Sequence, residues 1–351
     1  MSEWEPELEE LKFRESLAEK MGGSEKVERQ NERGKLNIRE RIALLLDKDS
    51  FHEIGKIAGK ATYDENGELL DLQASNFIFG RGRIDNRTVV IAGDDFTVRG
   101  GAADASIITK QVAAEQMANE LNLPIIRLID GTGGGGSVKT LDPNEHSKGS
   151  ISANTYGRGA RTYVPLNPGW EYVISNLATV PTVSLCLGPV AGLGAARAVS
   201  SHYSVMVKDL SQLFVAGPPV VNALGIEEVD KESLGGSRIQ ARNGSIDDEV
   251  DSVVEAFAAA RKFLSYLPSS TFENSEKLST EDSTSRTDPS LNDIIPRDRR
   301  KVYRMRNIIE SVFDVHSFFE MSASFGRSAI TGLARLDGWP VAVLAGDPYH
   351  Y

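Results

Sequence analysis

Apolar and polar positions change period several times along the chain, and each change marks an element. Residues 182–187 alternate Val183, Leu185 and Leu187 with Thr182, Ser184 and Cys186, the two-residue period of a strand, with Pro181 just ahead where a missing N–H does least harm. A turn follows at Gly188-Pro189, and from about Gly192 the small residues Ala195, Ala196 and Ala198 predict a closely packed helix. Upstream, residues 78–84 and 89–92 read as strands joined by a hairpin turn at Asp85-Asn86. A helix over 105–122 places Ile107, Ala114, Ala118 and Leu121 on one face, and Leu123-Pro124 stops it before a strand over 125–129. Residues 170–179 and 182–187 repeat that helix-then-strand order. Nearer the start, 3–21 reads as an exposed amphipathic helix closed by Gly22-Gly23. A helix over 39–47 carries Ile38, Ile42 and Leu45 on its apolar side, and Ser50 begins an extended segment. Helices alternating with short apolar strands predict an α/β fold.

Residues 268–300 change to Ser, Thr, Asp, Glu and Asn with little to bury, the pattern of a linker. Beyond it the chain repeats itself. Arg39, Ile42, Asp47, Ser50, Phe51 and Glu53 recur as Arg306, Ile309, Asp314, Ser317, Phe318 and Glu320. Gly80, Arg83, Asp85, Val89, Ile91 and Asp95 then recur as Gly332, Arg335, Asp337, Val341, Val343 and Asp347. The expected organisation is a first domain over 1–267, a polar linker over 268–300, and the start of a second copy over 301–351. The chain is expected to be a fragment of a longer protein.

Charge and composition narrow the partners. A net charge of -11 argues against nucleic acid. No apolar run reaches membrane-spanning length, and the acidic N-terminus lacks the apolar core of a signal peptide. Cys186 has no disulfide partner, and the five histidines and one cysteine show no metal spacing, so no metal is expected. The cluster Lys26, Arg29, Arg33, Lys35, Arg39 and Arg41 is either a solvated or dimer-facing surface or a set of contacts to ligand phosphates.

Two glycine-rich stretches carry the candidate chemistry. Gly131 to Gly136 fits G-x-G-x-x-G, but residues 141–144 continue as a loop, whereas a dinucleotide site needs a helix there. This loop is either a flexible surface segment or a pocket wall. At the second stretch, the first N–H groups of a helix from Gly192 would be unpaired and would suit a developing negative oxygen. On that stretch alone, a tight turn with glycines present for packing comes first. No G-x-S-x-G elbow supplies a nucleophile, and His202 reads as a partly buried histidine rather than a base.

Taken in order, these motifs resemble the carboxyltransferase (β) subunits of biotin-dependent acyl-CoA carboxylases, such as the propionyl-CoA and methylcrotonoyl-CoA carboxylase β chains. Residues 34–42 with Leu45-Leu46-Asp47 look like the family's N-terminal signature, and residues 128–134 like its glycine loop. Residues 188–192 look like its oxyanion turn, and residues 214–218 and 232–236 like the segments that follow. The resemblance implies a crotonase-like superhelix of ββα units, with one complete domain that holds acyl-CoA and the start of a repeated domain that receives carboxybiotin. It places the oxyanion donors on the backbone of Gly192 and Leu193, and the acyl-CoA pocket around Gly133, Gly134, Gly135, Gly136, Gly188 and Gly194. Leu193 stands where the family often has a second glycine, which implies a narrower pocket.

The chemistry implied is carboxyl transfer from carboxybiotin to the α- or vinylogous carbon of an acyl thioester through an enolate. Biotin would be carried on a partner and not attached here. The implied partners are a biotin carboxylase, a biotin carboxyl carrier subunit and further copies in a dimer-based hexamer, in the cytoplasm and without nucleic acid or membrane. The chain alone is expected to bind acyl-CoA and turn over little. The alternatives are a biotin-dependent acyl-CoA decarboxylase subunit and a non-catalytic acyl-CoA-binding fragment. Without the resemblance, the alternative is a nucleotide-binding α/β protein.

Overall fold

The computed structural model describes residues 3–102, 108–131, 170–225 and 228–350. Three helices, α1 Glu5–Glu19, α2 Ser24–Glu32 and α3 Ile38–Leu45, precede the short strand β1 His52–Glu53 and a hairpin, β2 Gly59–Tyr63 with β3 Leu69–Ala74. Then come β4 Phe77–Ile84, β5 Arg87–Asp94, α4 Ile108–Glu120, β6 Ile125–Ile129, α5 Trp170–Thr179, β7 Thr182–Cys186, β8 Pro189–Ala191 and α6 Leu193–Val199. The first unit continues through β9 Tyr203–Val207, β10 Gln212–Phe214, α7 Pro218–Asn222, α8 Lys231–Gly235, α9 Ser237–Asn243, β11 Asp248–Val250 and α10 Val253–Ser265. A second, smaller unit holds α11 Met305–Val312, β12 Phe319–Met321, β13 Ala329–Leu336 and β14 Trp339–Gly346.

The main sheet has seven strands in the order β1-β4-β5-β6-β7-β9-β11, antiparallel from β1 to β5 and parallel from β5 to β11. Asp85 and Asn86 both take positive φ, 50° and 65°, so the β4–β5 turn has the handedness that suits a two-residue hairpin. On one face Ile91, Ile126, Leu128, Val183, Leu185 and Val205 meet α3 and α10. On the other, Phe77, Phe79, Val90 and Ile125 meet Ala114 and Ala118 of α4. Helices on both faces bury β6, β7 and β9 at every position, the polar Arg127, Thr182, Ser184 and Ser204 among them.

Several expectations meet their elements. The strand over 125–129 and the helix over 170–179 have the predicted bounds, and β4 and β5 extend the predicted strands by a few residues. Within the described residues α4 runs from Ile108 to Glu120, so the expected start of that helix at 105 lies outside them. α1 departs from a simple amphipathic pattern. At 100° per residue its apolar positions form two stripes, Leu8-Leu11-Ala18 and Phe13-Leu17, of which only Leu17 and Ala18 are buried, against Leu72 of β3. Segment 268–300 is mostly exposed yet tied down: the Thr271 amide donates to Thr179 O at 2.9 Å, and Arg286 to the Phe313 carbonyl at 2.9 Å.

Candidate active site

β6 and β7 run side by side and end together at Ile129 and Cys186, so Asp130-Gly131 and Leu187-Gly188 leave the sheet as neighbours. Their carboxyl ends are the edge where open parallel sheets place ligands. The Leu187 amide donates to Ile129 O at 2.9 Å, and the Ala191 amide to Gly131 O at 3.3 Å, which fastens the second turn to the first. β8 pairs in parallel with β10, and Gly192 then takes φ 60°, ψ -124°, a conformation open to glycine, before α6 begins at Leu193.

The amides of the expected donor set, Gly192 and Leu193, differ in their bonding. The Gly192 N–H donates to the carbonyls of Phe214 (3.2 Å) and Val215 (3.1 Å), because β10 lies against the turn, so that group is already committed. The amides of Leu193 and Gly194 have no acceptor among the described residues. The Leu193 side chain is 46% exposed and directed outward. A Cβ on Gly194 would lie 3.3 Å from both Gly131 O and Val190 Cγ1, a tight approach where α6 passes the β6 turn. Gly133, Gly134, Gly135 and Gly136 lie outside the described residues.

Gly188, one of the expected acyl-CoA contacts, lies against a buried ion pair. A Cβ there would fall 2.1 Å from Asp130 Oδ1 and 2.5 Å from Lys35 Nζ, so its missing side chain makes room for a buried ion pair. Asp130 accepts from Lys35 Nζ at 2.6 Å through one oxygen and from Arg41 Nη1 at 2.7 Å through the other. Arg41 Nη2 donates on to Leu187 O at 2.9 Å, and the Asp130 amide donates to Asp94 Oδ2 at 3.1 Å. One guanidinium therefore ties the ends of β6 and β7 together directly beneath the two turns. Burial pulls the Lys35 ammonium below its ordinary pKa against the pull of Asp130, and the charge also lies 3.9 Å from the centre of the Phe96 ring. Burial likewise raises the Asp94 and Asp95 carboxyls.

The far end of α6 is held by a second buried cation. Arg127 makes two bonds to Glu115, at 2.7 and 2.9 Å, and Nη1 donates to the carbonyls of Arg197 (3.1 Å) and Ser200 (2.6 Å) at the helix C-terminus. Desolvation pushes the Cys186 thiol up to about 12, so it is inert at neutral pH. His202 accepts the Thr182 amide at Nδ1 (3.1 Å), which leaves Nε2 as the donor to Leu177 O at 2.9 Å. The neutral ring is thus a structural clip away from the turn. Sequence reasoning missed the roles of Lys35 and Arg41: their partner lies 95 and 89 residues away, and a basic run gives no sign of which members turn inward. No group of three or more His, Cys, Asp or Glu able to hold a metal is found among the described residues, nor a helix long and apolar enough to cross a membrane.

Residues 29–350 match the family model of the carboxyl transferase domain. The chain is 31% identical over 342 residues to the propionyl-CoA carboxylase beta chain of Roseobacter denitrificans, covering 97% of this chain and 63% of that one. It is 29% identical over 328 residues to the methylmalonyl-CoA decarboxylase subunit alpha of Veillonella parvula, covering 93% and 60%. Transcarboxylase 12S, in a hexameric crystal structure with methylmalonyl-coenzyme A and methylmalonic acid bound, superposes with a TM-score of 0.83 at 27% identity, over 100% of this chain and 64% of that one. The chain thus spans less than two thirds of the length of these relatives, and its fold is that of the crotonase-like carboxyltransferases. By that match over nearly its whole length, this chain belongs to the carboxyl transferase domain family.

Proposed function

We propose that this chain is the acyl-CoA-holding part of a biotin-dependent carboxyltransferase, with the thioester oxygen received by the backbone at the head of α6. The observation that carries the reading is the pair of amides at Leu193 and Gly194 that have no acceptor among the described residues, beside the bare backbone of Gly131 and at the carboxyl ends of parallel strands. As the α-proton leaves an acyl thioester, charge collects on its oxygen, and fixed N–H donors in a dry site stabilise that enolate more than the ground state. The donors are kept in place by structure already ordered: the Gly192 amide bonded to β10, the Arg41 bridge below, and Arg127 at the far end of α6.

The residues fit the substrate half of such a reaction. Carboxybiotin, delivered on a carrier protein, would supply the carboxyl group and the base for the α-proton. The similarity to transcarboxylase 12S with methylmalonyl-coenzyme A bound supports a short acyl-CoA as ligand. The similarity to a methylmalonyl-CoA decarboxylase subunit supports a second reading, the same site used in the direction of decarboxylation. A biotin carboxylase, a carrier subunit, a dimer-based hexamer and a cytoplasmic setting belong to the proposal as the assembly in which this would operate.

A thermal-shift series on this chain with acetyl-, propionyl- and methylmalonyl-CoA, against NAD and ATP, tests the reading. Ligand at a hundred times its Kd adds about 2.7 kcal/mol of stability. Stabilisation by the acyl-CoA esters alone is expected, and its loss in Gly192→Val, which cannot hold the turn, would locate the site. Stabilisation by NAD or ATP and not by acyl-CoA would sink the proposal.

A further inference from the structure

Two charged side chains at the carboxyl edge of the main sheet are buried and yet leave hydrogen-bonding groups unused. Arg197, on α6, is 8% exposed; its Nε is buried without a partner, and its other side-chain N–H groups donate to no described residue. Asp94, at the end of β5, is also 8% exposed. It accepts the Asp130 amide at Oδ2 (3.1 Å), while Oδ1 has no donor among the described residues. The two charges attract each other but share no hydrogen bond. A guanidinium buried with its donors unmet is costly, so the site is built for a group that meets them.

Both side chains lie beside the turns already described. Helical side chains lean toward the helix N-terminus, so Arg197 is directed back along α6 toward Leu193 and Gly194, one turn away. Its guanidinium carbon lies 5.6 Å from the centre of the Phe77 ring, and Phe77 is the register partner of Asp94. The head of α6 passes Gly131, next to the Asp130 amide that Asp94 accepts. The other charges nearby are already engaged. Glu115 takes Arg127 through both oxygens and Asn176 Nδ2 at 3.0 Å, and Asp130 takes Lys35 and Arg41. Burial raises the Asp94 carboxyl and outweighs Arg197, so Oδ1 suits a proton donor.

We propose that Arg197 and Asp94 form a subsite for the free carboxylate of a malonyl-type acyl thioester, one that carries a carboxyl group on its α-carbon. The inference rests on the reading that the thioester oxygen lies at the head of α6. From there the α-carboxylate reaches Arg197, one turn further along the same face, which takes it through two parallel N–H donors, and the Asp94 Oδ1–H closes the other side. The parent acyl-CoA has nothing to offer these groups. The chain therefore favours the carboxylated partner of the reaction over the uncarboxylated one.

The test is isothermal titration calorimetry on the full chain with propionyl-, methylmalonyl- and succinyl-CoA. The wild type should bind methylmalonyl-CoA about tenfold or more tightly than propionyl-CoA. Succinyl-CoA has the same charge one carbon further out and should gain at most about threefold over propionyl-CoA. Arg197→Met should abolish the preference while leaving the Kd of propionyl-CoA within about threefold of the wild type. Asp94→Asn, which still offers a donor, should keep it. If Arg197→Met lowers the melting temperature, Arg197→Lys replaces it: the charge stays, the fork is lost, and the preference should fall by about threefold or more. Equal wild-type affinity for methylmalonyl- and propionyl-CoA, an equal gain by succinyl-CoA, or a preference that survives both substitutions of Arg197 would overturn the inference while leaving the acyl-CoA site in place. Failure of all three esters to bind would remove that site, and the inference with it.

Discussion

The unit α3-β1-β4-β5 and the unit α11-β12-β13-β14 use one set of local instructions in two settings. Asp47 accepts the amides of Asp85 and Asn86 at 3.1 and 2.9 Å, and Asp314 those of Asp337 and Gly338 at 2.8 and 2.7 Å. Ser50 Oγ takes the Arg83 amide and Ser317 Oγ the Arg335 amide, both at 3.0 Å. Glu53 is paired in register with Gly80, as Glu320 is with Gly332, and in each unit the arginine of the preceding helix reaches that glutamate. What differs is the surroundings. β5 is followed by four parallel neighbours and is buried along most of its length, whereas β14 is the edge of a three-stranded sheet and is largely open. Side-chain to backbone bonds set the local shape, and the neighbours a strand acquires set its burial.

The largest expected effect is at Asp130, where the ends of β6 and β7 meet in the first unit. Asp130→Asn leaves Lys35 and Arg41 buried without a countercharge and should cost about 3–5 kcal/mol in urea unfolding at pH 7. A loss below about 1 kcal/mol would mean that the pair is not what holds the two turns.

Next come the matched glycines. A Cβ at Gly80 would lie 2.0 Å from His52 O, and at Gly332 2.3 Å from Phe319 O. Alanine at either should open the short first strand, by about 3 kcal/mol at Gly80 inside the larger sheet and about 1 kcal/mol at Gly332. Hydrogen exchange on the amides that bridge β1 to β4, such as Ile54 to Phe79 O at 2.9 Å, and on those that bridge β12 to β13 reads each separately, and equal losses would contradict the role given to neighbouring strands.

The smallest effects are in pH dependence, and they should have opposite sign. Burial raises the Asp95 carboxyl above its ordinary 3.8, so its folded form prefers the proton. Its contribution is present below pH 3.8 and is lost as pH rises through the folded value. At Asp347 burial also pushes upward, but the Tyr349 amide and Arg306 outweigh it and lower the carboxyl below 3.8. Its contribution is present above that pH and is lost as pH falls through the folded value. Asp95→Asn should therefore remove a loss of stability on the alkaline side, and Asp347→Asn one on the acid side, in unfolding curves from pH 3 to pH 7. The same sign for both would refute the assignment.

Much of this was legible in the chain. Periodicity located β4 to β7 and α5, Asp85-Asn86 announced its own turn, and the recurrence of Arg39, Asp47, Ser50 and Glu53 exposed the repeat. The glycine turn at 188–194 was legible as a tight strand-to-helix connection, but the bonding within it was not. Gly188 makes room for an ion pair, and the Gly192 amide belongs to β10, because strands that approach from elsewhere in the sequence use that space. The basic run gave no sign that Lys35 and Arg41 turn inward while Arg29 and Arg33 stay exposed.

The sequence by itself determined what is written in contacts between near neighbours: the period of each element, its turns and caps, and the duplicated unit, since those energies depend on residues a few positions apart. Only the tertiary structure decided which charges are buried together at Asp130 and which amides at the head of α6 have no acceptor among the described residues. Those depend on groups about a hundred residues apart meeting in a space from which water has been removed, where an unpaired charge costs several kcal/mol and a paired one is tolerated.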